Sequence, residues 1–489
     1  MKKINILIAI ICISLVTSCK SFLNVEPTNS TSSESSIKTA QDAQVAVNGL
    51  MSLMASSAYY GRNFLLYGDA KGGDFTIYSQ GRGYDGLYGF NHSASSGNYA
   101  GFWNHMYYCI LQTNTILENI AKIEKDSKEN FSSYKGQALT ARAFIYFDLV
   151  RLYGQPYNMN KEAYGVPNIT ATLPTTAQPT RAKVSENYTQ ILKDLKDGAE
   201  FMSKSTAKGY LCYYANLALQ AKVNLYMENY DVALEIAETI IKSKKYTLYQ
   251  PGDWAKSWTG EFGSESIFEL AIYENEGDLG TGSLAWYEMC WGKKTNAMGQ
   301  FLASNYFLNR LGEDLDDVRW GVMGNDEYWV DHDVDRFGAC YKYAGSEKEM
   351  KGDKGSTSAV NIKVIRLSEI YLIAAEAALN SKTPDKKKAA DYLNEIRKRA
   401  PNMAPATVAT VSNDMILDEC SKEFYAEGHR FFDMIRMNKK IEFNDDFQEL
   451  SIKHRDKIID RTFYKCILPI SQDEMNVNPA IASQQNPGY

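Results

Sequence analysis

The sequence predicts a mainly α protein: helices stacked in pairs into a superhelix, joined to an irregular, loop-rich second lobe. Three observations carry this. Apolar residues recur at helical spacing through most of the chain. Two stretches, 59–101 and 251–359, lose that spacing and gain glycine and aromatic residues instead. Between them, Ala221 and Tyr230-x-x-Ala233 keep part of the tetratricopeptide spacing, a small residue followed by Tyr and Ala at a helix start.

The chain opens with Lys2 and Lys3, an almost wholly apolar run from Ile6 to Val16, and Leu15-Val16-Thr17-Ser18 before Cys19. A basic start, a short apolar run and small residues read as a secretory signal over 1–18. The run is too short for a membrane span, which needs roughly 20 apolar residues. Cysteine at the first mature position marks Cys19 as a lipidation site, with a lipid-bearing tether over 19–36. Several acyl chains anchor stably, because each buried CH₂ contributes about 0.8 kcal/mol. Loss of Lys2 and Lys3 takes the formal charge of −6 to −8. An acidic body without a basic stripe argues against nucleic acid as a partner.

From Ile37 the helical part begins and runs to about residue 250, with Ala40, Ala43, Val47 and Leu50 on one face. The stretch 59–101 interrupts it with ten glycines and seven tyrosines. Glycine there permits positive-φ turns, and tyrosine supplies broad amphipathic faces. Helix resumes at Trp103. The next helix spans about Tyr134 to Tyr153, with Ala138, Ala141, Ile145, Leu149 and Leu152 in register, and Gly154 and Pro156 end it. A Thr/Pro-rich linker leads to helices over Lys183–Met202 and Tyr210–Met227, and a third starts at Asp231.

Residues 251–359 hold six of the seven tryptophans. From 360 the chain is helical again. Val364, Leu367, Tyr371 and Ala378 mark one helix, Tyr392 and Ile396 its partner, and Asp414–Met437 a last long one. The tail, 441–489, is irregular. Beyond Cys19, Cys109, Cys212, Cys290, Cys340, Cys420 and Cys466 lie far apart without a CxxC pair, which excludes a zinc ribbon. Cys212 and Cys420 fall in helical patterns, where a thiol acts as a small buried hydrophobe. No bridge is assigned.

Several motifs stand in an order that resembles one known family. Cys19-Lys20-Ser21-Phe22-Leu23 with Pro27 resembles the family's start. Trp103, Tyr107, Ile110 and Asn114 resemble its W…Y…I…N helix. Ala141-Arg142-Ala143-Phe144 through Asp148-Leu149, then Tyr153-Gly154 and Pro156, resemble A-R-A-F-x-Y-F-D-L with its Y-G-x-x-P end, the proline one residue early. Arg366-Leu367-Ser368-Glu369 with Tyr371 and Glu376, Ile396-Arg397-Lys398-Arg399-Ala400, Glu427-Gly428-His429-Arg430 through Arg436, Leu468-Pro469-Ile470, and Asn486-Pro487-Gly488-Tyr489 complete the series, which resembles the SusD/RagB-like outer-membrane nutrient-binding lipoproteins of Bacteroidetes. Cys420 departs from it, standing where Arg is usual, which implies an altered local ion pair.

The resemblance implies tetratricopeptide-like helical pairs wrapped by an irregular lobe. It implies an oligosaccharide ligand, or a peptide in a related branch, and a SusC-like TonB-dependent transporter as partner, over which the protein sits as a lid at the outer membrane.

Most matching charges read as structural: Arg142, Glu376, Arg397, Arg430, Asp433 and Arg436 fall on amphipathic helices, where they satisfy one another. The aromatic loops read differently. A sugar offers an apolar C–H face and a rim of hydroxyls, so its site needs flat rings with amide, carboxylate or guanidinium groups at their edge. Candidates are Arg82, Tyr84, Tyr88 and Asn91 from the first stretch, and Trp286, Trp291, Trp320 and Trp329, with Tyr287, from the second. The competing reading of each tryptophan is local core. No HExxH, GxSxG or P-loop occurs, and the five histidines keep no metal-ligand spacing, so no catalytic residue, cofactor or metal site is assigned. Asp331-His332-Asp333-Val334-Asp335 offers alternating oxygens for Ca²⁺ but lacks the Gly and Glu of an EF-hand loop. Glycan processing by a carboxylate pair is the least supported reading.

Overall fold

The structure, a computed structural model, describes residues 37–77, 80–81, 83–96, 100–273, 282–288, 298–325, 337–343, 359–446 and 449–489. Helices dominate. α1 (Ala40–Met54) starts on a reciprocal cap: Thr39 Oγ1 accepts from Asp42 N at 3.1 Å, and Asp42 Oδ2 accepts from Thr39 N at 2.9 Å. α2 (Asn63–Ala70), β1 (Phe75–Ile77) and α3 (Asp85–Tyr88) follow within the glycine-rich stretch. α4 (Ala100–Ile123) and α5 (Ser132–Tyr153) are the long helices expected there. α5 is enclosed on nearly every side, and its small residues Ala138, Ala141 and Ala143 are fully buried.

α6 (Val184–Glu200), α7 (Tyr213–Tyr226) and α8 (Tyr230–Ser243) continue the pairing, α5 against α6 and α7 against α8. The second lobe contributes β2 (Ser266–Leu270), α9 (Leu284–Glu288), β3 (Phe301–Ala303), α10 (Asn305–Leu311), β4 (Met323–Asn325) and β5 (Phe337–Cys340). β6 (Ile362–Arg366), α11 (Leu367–Asn380), α12 (Lys386–Arg397), α13 (Asn413–Glu423) and α14 (Arg430–Arg436) return to helical pairs. Among the described residues no helix is long and apolar enough to cross a membrane.

Two expectations are corrected. Val364 is not helical: it lies in β6, which pairs antiparallel with β2 over 266–270, so the helix begins at Leu367. The last long helix is two, α13 and α14, parted at 424–429. Ala426 and Gly428 sit there at φ 64° and 78°, outside helical geometry. Crowding explains the break. Gly428 passes against α2 so closely that a Cβ on Gly68 would lie 2.0 Å from its carbonyl oxygen.

The predicted ion pairs form. Arg142 on α5 donates twice to Asp194 on α6, at 2.7 Å each, and to Asn114 on α4 at 2.8 Å. Arg436 pairs with Glu376 and Asp433, Arg397 with Glu419, and Arg430 with Asp74. A larger buried network docks the second lobe: Arg319 holds Asp317 and Glu419, while Glu265 is held by Arg366 and Arg399. Cys109, Cys212, Cys340, Cys420 and Cys466 are buried free thiols. Cys290 lies outside the described residues.

Candidate functional site

One antiparallel pair brings the two aromatic stretches together. β1 of the first pairs with β3 of the second, Phe75 opposite Ala303 and Ile77 opposite Phe301. Ser304 locks the junction, its hydroxyl donating to Gly73 O at 2.8 Å while it caps α10. The chain leaving β1 reaches Tyr84, and the chain entering β3 comes from α9, which carries Trp286 and Tyr287.

Tyr84 and Tyr287 meet edge to face, ring centroids 4.6 Å apart at 72°. The Arg62 guanidinium carbon lies 5.5 Å from each ring centre, within cation–π range of both. Two hydrogen bonds fix that guanidinium, to Asn63 Oδ1 at 3.0 Å and to Gly282 O at 3.0 Å. Asn63 Oδ1 also accepts from the Tyr84 hydroxyl at 2.9 Å. Gln300, fully buried, accepts from Tyr84 N at 3.0 Å. Burial pushes the Tyr84 hydroxyl pKa upward, with Arg62 opposing, so it stays a neutral donor.

Among the described residues, the Asn63 amide nitrogen, the Tyr287 hydroxyl and the Trp286 indole N–H have no hydrogen-bond partner. The Trp286 carbonyl accepts from Met298 N and Gly299 N, tying α9 to the approach to β3. The result is a half-buried pair of rings with a fixed guanidinium and an amide beside them. That is the donor set a sugar's flat face and hydroxyl rim require.

Of the sequence candidates, Tyr84 and Trp286 belong to this cluster or flank it. Tyr88 does not: it is fully buried, its hydroxyl on Asp445 Oδ1 at 2.8 Å and Arg455 over its ring at 4.7 Å, so it presents no face to a ligand. Asn91 is exposed on the turn that closes α3. Trp320 lies elsewhere, half-buried, its indole donating to Asp314 O at 3.1 Å. Cys19, Arg82, Trp291, Trp329 and the acidic run 331–335 lie outside the described residues. Among the described residues no group of His, Cys, Asp and Glu is arranged to hold a metal. Arg62 and Asn63 escaped the sequence reading, although they follow Tyr59-Tyr60-Gly61 in the same stretch.

Residues 279–489 match a model described as the SusD family, and residues 21–225 one described as starch-binding, associating with outer membrane. A crystal structure of a SusD superfamily protein from Bacteroides vulgatus is 32% identical, covering 93% of this chain and 100% of that one, with TM-score 0.81. A SusD-like protein of Formosa agariphila is 24% identical over 96% of this chain and 97% of its own length. A laminarin-binding SusD-like protein shares the fold at 22% identity and TM-score 0.71, over 93% of this chain and 100% of that one.

Proposed function

We propose, for a chain that belongs to the SusD family, that it is a non-catalytic capture protein for an oligosaccharide, anchored to the outer membrane through Cys19 and passing its ligand to a SusC-like TonB-dependent transporter. The observation that carries this is the Arg62–Tyr84–Tyr287 cluster. Two stretches far apart in sequence converge to leave rings, an amide and a hydroxyl for a ligand. The laminarin-binding relative in fold supports a glycan as the ligand class. Affinity is modest, because a shallow aromatic site gains little area and must release its cargo.

The test is a glycan-array screen of the chain from Lys20 onward, with a peptide pool alongside. Saturable binding to one glycan class, lost in Tyr84→Ala with Tyr287→Ala, supports the reading. Capture of peptides alone moves the protein to peptide uptake and leaves the rings structural. Co-purification with a TonB-dependent barrel tests the delivery step, and its absence from detergent extracts of the membrane overturns it.

A further inference from the structure

A cleft of about 680 Å³ opens beside α1, within the size range of small-ligand sites. One wall is the polar edge of α1, with Asn48 and Ser52 one helical turn apart. The lining also carries three rings, Tyr210, Phe262 and Tyr273, the last 53% exposed. Phe262 holds a left-handed backbone at φ 50°, costly for a side chain this large, and its ring packs beside Gly209 at φ 78°. Strain kept at a cleft wall marks a conformation the surroundings impose.

The polar groups are set in advance. Asn48 Oδ1 accepts from the Tyr210 hydroxyl at 2.9 Å and from Gln44 Nε2 at 2.8 Å. That fixes the amide, and its nitrogen keeps both hydrogens without a partner among the described residues. Among the described residues, Lys208 is the only charged group lining the cleft. Rings lining one cleft with an oriented amide and a hydroxyl suit a pyranose. A lone cation favours neutral or acidic sugars over amino sugars.

The cleft also leads to the candidate site. Ala55 and Ile272 line it and also line the neighbouring depression, whose other walls include Gly61 and Ala285. Gly61 directly precedes Arg62, and Ala285 directly precedes Trp286.

We propose that this cleft is a second saccharide subsite, which receives further units of the same chain held at Arg62, Tyr84 and Tyr287. The protein thereby selects neutral or acidic glycans long enough to span both. The inference rests on the glycan reading above.

The test is calorimetry on the chain from Lys20 onward with disaccharides and octasaccharides of the laminari, malto, manno and galacturonate series. For the series that binds, affinity rises from disaccharide to octasaccharide. Asn48→Ala with Tyr210→Ala removes that rise, roughly tenfold, and leaves the disaccharide unchanged. Tyr273→Ala, at a more exposed position, weakens the octasaccharide in the same direction. An octasaccharide affinity unchanged in these variants, or no length dependence in the parent chain, overturns the subsite. Equal loss at both lengths with a lowered melting temperature makes these residues structural and overturns it as well. A parent chain that binds no series fails before any cleft variant is made, and that failure belongs to the glycan reading, which takes the subsite with it.

Discussion

Glu288 ends α9, directly after the tyrosine of the candidate site, and Glu288→Gln should stabilise the protein at neutral pH. The carboxylate is fully buried, and neither oxygen has a hydrogen-bond partner among the described residues. The groups that face it are Asp69 from α2, Glu427 and Tyr425 from the turn after α13, and Cys340, Lys342 and Tyr343 around the end of β5. Burial pushes its pKa well up, and the nearby Asp69 pushes it further. Asp69 is raised in the same way, chiefly by burial, although Gly428 N donates to it at 2.9 Å. Unfolded, such carboxyls ionise at about 4. Above that pH the native state keeps protons that the unfolded chain has released. Stability therefore falls as pH rises, by about 1.4 kcal/mol per pH unit for each such group, until the folded-state pKa is passed. The substituting amide is neutral at every pH and nearly isosteric with the acid. Urea unfolding followed upward from roughly pH 5 should show a slope shallower by about 1.4 kcal/mol per unit in the variant until the folded-state pKa of Glu288 is passed, with the two curves meeting at the acid end. Parallel curves, or a variant less stable than its parent at neutral pH, would refute the reasoning, because Glu288 would then be ionised and paired.

Arg142→Ala should cost about 3–5 kcal/mol in equilibrium unfolding, because it strands Asp194, whose side chain is 1% exposed. Arg142→Met with Asp194→Leu should recover most of that loss. Gly68→Ala should lower stability by at least about 1–3 kcal/mol, measured by thermal melting, since its Cβ would enter the Gly428 carbonyl. Tyr287→Ala should weaken glycan binding roughly tenfold with little change in melting temperature, whereas Trp320→Ala should do the reverse. Cys19→Ala should move the protein from the membrane pellet to the soluble fraction.

The helices were legible where an apolar stripe was long enough to declare its period, as from Ala138 to Leu152 on α5. Charges within those stripes were legible too: a buried arginine needs a carboxylate, and Arg142 and Arg436 both found one. The break between α13 and α14 was not, because apolar spacing continues through 424–429. What stops the helix is α2, distant in sequence, pressing on Gly428. The aromatic stretches were legible only as composition. Tyr84 and Tyr88 look equivalent in Tyr84-Asp85-Gly86-Leu87-Tyr88, yet Phe443, Asp445 and Arg455 enclose only the second. Arg62 was missed because a single arginine in a loop carries no periodicity. Its role depends on Gly282, 220 residues away.

That 220-residue separation divides the site into two walls drawn from distant parts of the chain and joined where Arg62 donates to Gly282 O. Asn63 holds Arg62 and the Tyr84 hydroxyl within one wall, the Trp286 carbonyl ties α9 to the approach to β3 within the other, and Gly282 and Gln300 of that second segment hold Arg62 and Tyr84 N across the seam. A change in the α9 segment re-shapes one wall without touching the hydrogen bond between Tyr84 and Asn63. Ligand preference in such a protein can drift one wall at a time, each step tested against an unaltered opposite wall, with the helical frame as a bystander.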